Sequence, residues 1–190
     1  MRKTKRSVRA EHAILEATLS VLMEGGYAAL TVDRVAAMAR ASKTTIYRRW
    51  PTKEHLILAV FDQLPIAPPA NKGSFEKDLA AMFRQFEKIM RDSPMRGVLP
   101  MLAAECVHNA ALSGALIRVN EQRRGPMRQI VQRAVQRGEL RRDLDVELAI
   151  DVIQGAILIR MYFLLDRLSP RWVRGLVQLL RRGFGEASEK

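Results

Sequence analysis

Apolar residues recur at helical spacing along almost the whole of this 190-residue chain, and no segment alternates between apolar and polar residues as a strand would. The clearest example is an amphipathic stripe formed by Phe75, Leu79, Met82, Phe83, Phe86 and Met90. This pattern excludes a sheet protein. It predicts an all-α fold of about nine helices, with an N-terminal head of four and a C-terminal body of five.

Capping residues, glycines and prolines divide this pattern into separate helices. We expect helices at about 7–23, 31–39, 42–50, from 52, at 75–90, 97–108, 113–137, 145–168 and 170–183. Gly25-Gly26 should stop the first helix, and Gly125-Pro126 should break or kink the seventh. Residues 65–73, PIAPPANKG, contain three prolines and a glycine, which excludes a helix there. We therefore predict a linker at 65–73 between a domain at 1–64 and a domain at 74–190.

The net charge of +12 comes from 32 Lys and Arg against 20 Asp and Glu. It fits either a solvated, arginine-rich surface or a polyanionic partner. Residues 1–9 carry five cations and no acid, and residues 31–53 carry six cations against Asp33 alone. Because the density is highest near the N-terminus, we favour a nucleic acid as the partner. We expect residues 1–9 to be a flexible basic tail that approaches the minor groove or the backbone of DNA.

The single cysteine, Cys106, cannot form an intrachain disulfide, so we expect a reducing, cytoplasmic setting. The longest apolar run, residues 155–165, contains Arg160 and is about half of the roughly 20 residues that a membrane-spanning helix needs. No membrane association is therefore predicted.

Two short helices joined by a tight turn, at 31–39 and 42–50, describe a helix-turn-helix, whose second helix enters the major groove of DNA. In the second helix, SKTTIYRRW, the one aliphatic residue is Ile46, which must face the core. The exposed face then consists of Lys43, Thr44 and Tyr47, flanked by Thr45 and Arg48. A cation, hydroxyls with methyl groups and a phenol suit base edges, thymine methyls and phosphates.

The stretch from Gly26 to Phe61 closely resembles the N-terminal signature of the TetR family of bacterial transcriptional regulators. The resemblance is carried by a glycine-aromatic pair, the Thr31 cap, the turn into Ser42, the aromatic residues Tyr47 and Trp50, and the Lys53-Glu54 helix start. It implies base and neighbouring backbone contacts for Lys43, Thr44 and Thr45, phosphate contacts for Tyr47, Arg49 and Lys53, and either kind for Arg48. Thr31 and Ser42 are DNA-binding candidates or helix caps alone.

One position departs from the family pattern. The turn usually contains a glycine, and Arg40 stands there instead. If the turn needs a positive φ, an arginine costs on the order of 1 kcal/mol. Arg40 is then either a phosphate contact or a tolerated residue of a non-glycine turn, and we favour the second interpretation.

Residues 137–151 resemble a linker and helix start that are common in TetR-like C-terminal domains. The resemblance implies a homodimer in which the last two helices pack against their twofold mates. We predict the dimer interface at Ile150, Ile153, Ile157, Trp172, Leu176 and Leu179. The helix from Val146 is apolar on two sides, which calls for two packing partners, although full burial within one subunit is the alternative.

The resemblance also implies a pocket for a small apolar or amphipathic effector among the middle helices. The candidate lining residues are Phe86, Met90, Leu102, Glu105, Cys106, Ile157, Arg160 and Met161. Methionines suit such a pocket because they repack around ligands of varied shape. The alternatives are that these residues are simply core, and that the regulator has no ligand.

An enzyme is disfavoured, because the three histidines are scattered and no metal set, catalytic triad or phosphate-binding glycine loop is visible. We predict no cofactor and no metal. The prediction is therefore a TetR-type regulator, a repressor that binds a palindromic operator as a homodimer and is released by a ligand. The alternative is a constitutive or nonspecific basic DNA-binding protein without a ligand.

Overall fold

The computed structural model describes residues 5–91, 93, 95–164 and 166–184, and these residues form nine α-helices and no strand. The all-α prediction is confirmed. In chain order the helices are α1 (Lys5–Ala29), α2 (Val32–Ala39), α3 (Lys43–Tyr47), α4 (Lys53–Gln63), α5 (Phe75–Arg91), α6 (Met95–Cys106), α7 (Ala110–Gln136), α8 (Val146–Leu158) and α9 (Pro170–Phe184). A π-helical turn, Ile159–Phe163, directly follows α8.

The chain divides into two compact units. Unit 1 combines the residues up to Pro65 with Met90–Asn120, and unit 2 combines Ile66–Ile89 with the residues from Glu121 onward. Helices α5 and α7 contribute residues to both units. The domain division expected from the sequence stays a prediction, and the two units are described separately below.

In unit 1, α1 packs against α2, α4 and α6, and α2 packs against α3. The predicted stop in α1 is confirmed at Gly26, whose φ of 73° and ψ of −169° interrupt the helical backbone. Residues 5–9 of the tail that was predicted to be flexible lie in α1 instead, and residues 1–4 lie outside the described residues. The fully buried apolar side chains of this unit include Ile14, Val21, Leu22, Leu30, Val35, Ile46, Leu56 and Ile57.

Polar contacts within unit 2 hold the segment from Ala70 to Asp78 in place. Asp78 is 0% exposed, and its carboxylate accepts from the backbone N–H of Lys72 and, at 3.3 Å, from Arg137 Nη2. Glu139 accepts from the Phe75 N–H at 2.8 Å, and Arg133 donates to the carbonyl of Ala70. The residues predicted as a linker are non-helical as expected, and part of that segment is bound to the C-terminal end of α7.

The predicted break in α7 is wrong, because the helix continues through Gly125 and Pro126. A proline within a helix removes one backbone hydrogen bond. Burial of the following Met127 and Ile130 in the core of unit 2 offsets that loss. Within the same stretch the nearly buried Arg124 pairs with α8, which further fixes the course of α7.

The ion pairs of Arg124 join α7 to α8. Its guanidinium lies 2.6 Å from Asp151 and 3.1 Å from Glu147, and it also donates to the Glu147 carbonyl at 3.0 Å. Asp145 caps α8 as predicted, by accepting from the backbone N–H groups of Glu147 and Leu148. The helix predicted to reach Leu168 ends earlier, because the π-helical turn replaces its last part. None of the helices in the part of the chain that the structure describes is long and apolar enough to cross a membrane.

Candidate nucleic-acid interface

Helices α2 and α3 form the helix-turn-helix that the sequence predicts, and each begins with a side-chain cap. Thr31 Oγ1 accepts from the Arg34 N–H at 3.2 Å, and Ser42 Oγ accepts from the Thr45 N–H at 3.2 Å. Ser42 Oγ also lies 2.8 Å from Thr45 Oγ1 in a hydroxyl–hydroxyl hydrogen bond. Thr31 and Ser42 therefore both act as caps, Thr31 at the start of α2 and Ser42 at the start of α3.

The turn between the two helices is left-handed at Arg40, which has φ 50° and ψ 42°. The Ala41 N–H donates to the Ala36 carbonyl at 3.0 Å, and the Arg40 N–H reaches the Ala37 carbonyl at 3.3 Å. This is the usual way in which a glycine ends a helix, achieved here with an arginine. The turn therefore does require a positive φ, which is a strained backbone conformation for the exposed Arg40 because an arginine has a Cβ atom.

Helix α3 has one buried face and one exposed face. Ile46 is 0% exposed and Trp50 is nearly buried, whereas Tyr47 is 50% exposed, as the helical wheel predicts. Lys43 and Thr44 are exposed beside Tyr47, and Thr45 is half-buried. The exposed face presents an ammonium, a hydroxyl with its methyl group and a phenol, all of which fit the edges and backbone of a duplex.

The cations of this surface differ in their partners. Lys43 Nζ lies 2.7 Å from Asp33 Oδ1 at the start of α2, and this ion pair raises the pKa of the Lys43 ammonium. Both side chains are exposed, so a phosphate can compete for Lys43. Arg48 is exposed at the end of α3 and is oriented by no ion pair among the described contacts.

Arg49 is held inside unit 1, unlike its neighbour in sequence. Its Nη1 lies 3.1 Å from Glu11 Oε2 and donates to the Ser7 carbonyl at 3.4 Å, and its Nη2 donates to the Ser7 hydroxyl. The resemblance to the TetR family implies phosphate binding for Arg49, whereas the structure places it in contact with α1.

Lys53, at the first position of α4, lies against Tyr27. Its Nζ is 3.7 Å from the centroid of the Tyr27 ring and 3.5 Å from the Tyr27 carbonyl oxygen, to which it donates. The preceding residue, Thr52, makes no side-chain cap, and its hydroxyl lies 3.0 Å from His55 Nδ1. The first amides of α4 therefore lack a side-chain acceptor from Thr52, and the N-terminus of a helix is a favourable environment for an anion.

Sequence reasoning missed the polar contacts of Tyr27 itself. The Tyr27 hydroxyl donates to Glu54 Oε1 and accepts from Asn109 Nδ2 at 2.6 Å. Burial, together with the hydrogen bond to Glu54, raises the pKa of Tyr27. Burial alone would raise the pKa of Glu54, but the hydrogen bonds from Tyr27 and Thr52 outweigh it and lower that pKa. The glycine-aromatic pair marked this position, but nothing in the spacing pointed to Asn109.

Two family models match the chain. Residues 14–60, which include the helix-turn-helix, match the model described as "Bacterial regulatory proteins, tetR family", and residues 69–180 match "Tetracyclin repressor-like, C-terminal domain". The second match alone spans more than half of the chain. The chain belongs to the TetR family of bacterial transcriptional regulators.

Relatives and solved structures agree with this assignment to the TetR family. Mb1581 of Mycobacterium bovis, an HTH-type transcriptional regulator, is 39% identical over 79% of this chain and 75% of its own length. The DNA-binding transcriptional repressor TetR of Mycobacteroides abscessus is 34% identical over 78% of this chain and 80% of its own length. The crystal structure of the TetR family transcription regulator SCO0332 is 30% identical, with a TM-score of 0.68, over 92% of this chain and 98% of that one.

The effector-binding residues predicted for this TetR-family regulator fall in both units. Met90, Leu102, Glu105 and Cys106 belong to unit 1, and Phe86, Ile157, Arg160 and Met161 belong to unit 2. Met90 and Leu102 are buried, as are Ile157 and Met161, whereas the other four are half-buried. Burial raises the pKa of the Cys106 thiol. The effector site stays a prediction.

A groove of about 680 Å³ lies between α8 with its π-helical turn and α9. Small residues such as Gly155, Ala156 and Gly175 form part of its lining. The lining also includes Trp172, Leu176 and Leu179 from the predicted dimer interface, and Arg160 from the predicted effector site. The Arg160 guanidinium lies 5.2 Å from the centroid of the Trp172 ring and pairs with Asp166.

The remaining predicted interface residues are placed differently. Ile150 and Ile153 are 0% exposed and Ile157 is nearly so, because these side chains pack into the core of unit 2. They have no free surface to offer a second subunit. The exposed apolar side chains of this region are instead Leu148, Val152, Leu158, Ile159, Phe163, Leu164 and Leu179.

Proposed function

We propose that this TetR-family regulator acts in the cytoplasm as a repressor that binds a palindromic operator as a homodimer. The observation that carries the proposal is the two-faced helix α3, which buries Ile46 completely and exposes Lys43, Thr44 and Tyr47. A helix of this kind, held at its start by the Ser42 cap, suits insertion into the major groove. One relative that is 34% identical is named a DNA-binding transcriptional repressor, and this name supports the repressor assignment.

A homodimer is supported by the apolar surface of α8, the π-helical turn and α9. Phe163 is 77% exposed, Leu179 is 68% exposed and Val152 is 45% exposed, and several large apolar side chains exposed on these elements are typical of an interaction surface. Covering this surface with a second copy would remove it from water. A twofold dimer would also present two α3 helices, which suits half-sites one DNA turn apart, about 34–36 Å.

Release by a small apolar or amphipathic ligand completes the proposal. Such a ligand lowers operator affinity only by the difference in its affinity for the two states of the dimer. The buried Met161 supports an adaptable apolar site within unit 2. A ligand that raises the melting temperature of the protein and also lowers its operator affinity would meet this requirement.

The proposal is tested by affinity selection from a random duplex library at physiological salt. We expect enrichment of a palindrome whose half-sites are about one turn apart, bound roughly 10³-fold or more tightly than random DNA. Lys53→Ala should then weaken binding to all sequences. It should also reduce by about one the steepness with which the logarithm of the binding constant falls with the logarithm of salt concentration, called the salt slope below. Salt-sensitive binding without any enriched motif would instead favour a nonspecific DNA-binding protein.

A further inference from the structure

Three segments of unit 1 meet at the Tyr27 side chain, outside the helix-turn-helix. The ring is buried, and its hydroxyl donates to Glu54 in α4 while accepting from Asn109 Nδ2 at 2.6 Å. Asn109 lies in the corner between α6 and α7, 82 positions after Tyr27 in the chain. One phenol thus connects this corner to the first turn of α4.

The direction of these hydrogen bonds is fixed by the second contact of Asn109. Its Oδ1 accepts from the Leu112 N–H at 3.0 Å and so caps the start of α7. The amide NH2 group must therefore be the part that faces Tyr27, and the phenolic proton must go to the Glu54 carboxylate. A polar network whose members are all satisfied holds its parts rigidly.

The same tyrosine also contacts the Lys53 side chain through its ring. The Lys53 ammonium lies 3.7 Å from the ring centroid and donates to the Tyr27 carbonyl, which ties it to both the side chain and the backbone of one residue. An ammonium over an aromatic face is attracted to the ring, and this orders an otherwise flexible side chain. The position of the Tyr27 ring thus determines the position of the Lys53 ammonium.

Helix α6 reaches the same point through Gly26. A Cβ atom placed on Gly26 would lie 2.9 Å from Met101 Sδ, so α6 packs directly on the backbone of the kink with no side chain between them. Tyr27 follows Gly26 immediately. A shift of the α6–α7 corner would therefore act on Tyr27 through two contacts, one apolar at Met101 and one polar at Asn109.

We propose that Asn109 and Tyr27 are positioning residues for Lys53, so that operator affinity depends on the position of the α6–α7 corner. The inference rests on the proposed function, in which Lys53 binds a DNA phosphate. Neither residue touches DNA in this scheme.

The test uses the full chain and its selected operator duplex. Asn109→Ser keeps a capping hydroxyl for α7 but is too short to reach Tyr27, and Tyr27→Phe keeps the ring under Lys53 but removes the hydroxyl. Asn120→Ser makes the same substitution at an exposed position of α7 and is the matched control. Melting by far-UV circular dichroism establishes that each variant is folded.

We expect Asn109→Ser and Tyr27→Phe each to weaken operator binding about three- to tenfold, at the lower end of the effects seen for coupled neighbours, and to lower the salt slope by up to one. The variant with both Asn109→Ser and Tyr27→Phe should bind the operator no more weakly than whichever single variant binds it less tightly. In a Lys53→Ala background Asn109→Ser should have no further effect. Asn120→Ser should bind like the unaltered protein.

The two ways of failing are distinguishable. Suppose that Lys53→Ala lowers the salt slope. The positioning role is then overturned, and the phosphate contact stands, if Asn109→Ser binds DNA like the unaltered protein. The same holds if Asn109→Ser weakens DNA binding as much in the Lys53→Ala protein as in the unaltered one. If Lys53→Ala leaves the slope unchanged, the phosphate contact itself fails, and the positioning role falls with it.

Discussion

Arg49 and Glu11 form an ion pair of 3.1 Å that connects the residues just after α3 to α1. The same guanidinium donates to the carbonyl and hydroxyl of Ser7, so its hydrogen-bonding capacity is largely used within unit 1. A residue for which the family resemblance implies phosphate binding thus already has an anionic partner. Contact with DNA and contact with Glu11 compete for one guanidinium.

Glu11→Gln should therefore strengthen DNA binding. Removing the carboxylate frees Arg49 from a half-exposed ion pair worth up to about 1 kcal/mol, which corresponds to up to about fivefold in affinity. Fluorescence anisotropy with operator and random duplexes at several salt concentrations measures the effect. Glu16→Gln, at an exposed position of α1, is the control. Unchanged affinity for both duplexes would show that Arg49 stays on α1 in the complex.

Arg40→Gly should stabilise the protein. Relieving the left-handed arginine gains about 1–2 kcal/mol, and the greater freedom of glycine in the unfolded chain takes back about 0.4–1 kcal/mol. Urea unfolding measures the net gain. The same variant separates the two interpretations of Arg40, since a phosphate contact requires the salt slope of DNA binding to fall by about one, and a tolerated turn residue leaves it unchanged.

Thr44→Ala should change sequence preference and leave the fold intact. The exposed hydroxyl and methyl lie on the outer face of α3 beside Lys43. Their removal should relax selection at one or two base positions, with a loss of about 1–3 kcal/mol on the preferred operator. Repeating the library selection with the variant checks this. Uniform weakening on every sequence would instead place Thr44 against the DNA backbone.

Much of the head could be predicted from sequence because its signals are local. The caps at Thr31 and Ser42, the inward Ile46 and the break at Gly26 all depend on residues within one or two turns of each other. The place of Arg40 where the family has a glycine also points to a positive φ, which the structure shows. Local patterns of this kind are set by backbone chemistry that a single segment already contains.

The contacts that were not predicted join residues far apart in the chain. Asn109 meets Tyr27 across 82 positions, and Arg49 meets Glu11 across 38. Helical periodicity reports which side of a helix is apolar, but it contains no information on which distant polar group will face it. For the same reason the buried stripe of Ile150, Ile153 and Ile157 could not be distinguished from the exposed one on the same helix.

Glu54→Gln should make the free energy of unfolding depend less steeply on pH in the acid range. Burial alone would raise the pKa of Glu54, but its hydrogen bonds lower it below the ordinary value of 4.5 in the folded protein. The unfolded chain therefore binds more protons in this range, and stability rises with pH. The contribution is present above pH 4.5 and is lost as pH falls through the lower native pKa. Urea midpoints between about pH 3 and pH 6 measure it. A pH dependence of stability in Glu54→Gln equal to that of the unaltered protein would contradict the assignment.

Phe163→Glu should shift the protein from dimer to monomer. A charge placed on the 77% exposed ring position would be buried in the proposed subunit contact, at a cost of several kcal/mol. Sedimentation equilibrium checks the oligomeric state. Ile117→Glu, at an exposed apolar position of α7, is the control. A Phe163→Glu protein that remains dimeric would move the interface away from the end of α8.

The polar contacts around Asp78 bear on how the chain resists proteases. A non-helical segment with three prolines and an exposed lysine is ordinarily where digestion begins. Here the Lys72 N–H is held by the buried Asp78 carboxylate, and the Ala70 carbonyl is held by Arg133. A protease must pull this backbone away from both α5 and α7 before the peptide bond after Lys72 can enter its cleft. The rate of trypsin cleavage at Lys72 therefore measures how often residues 70–72 detach from these two helices.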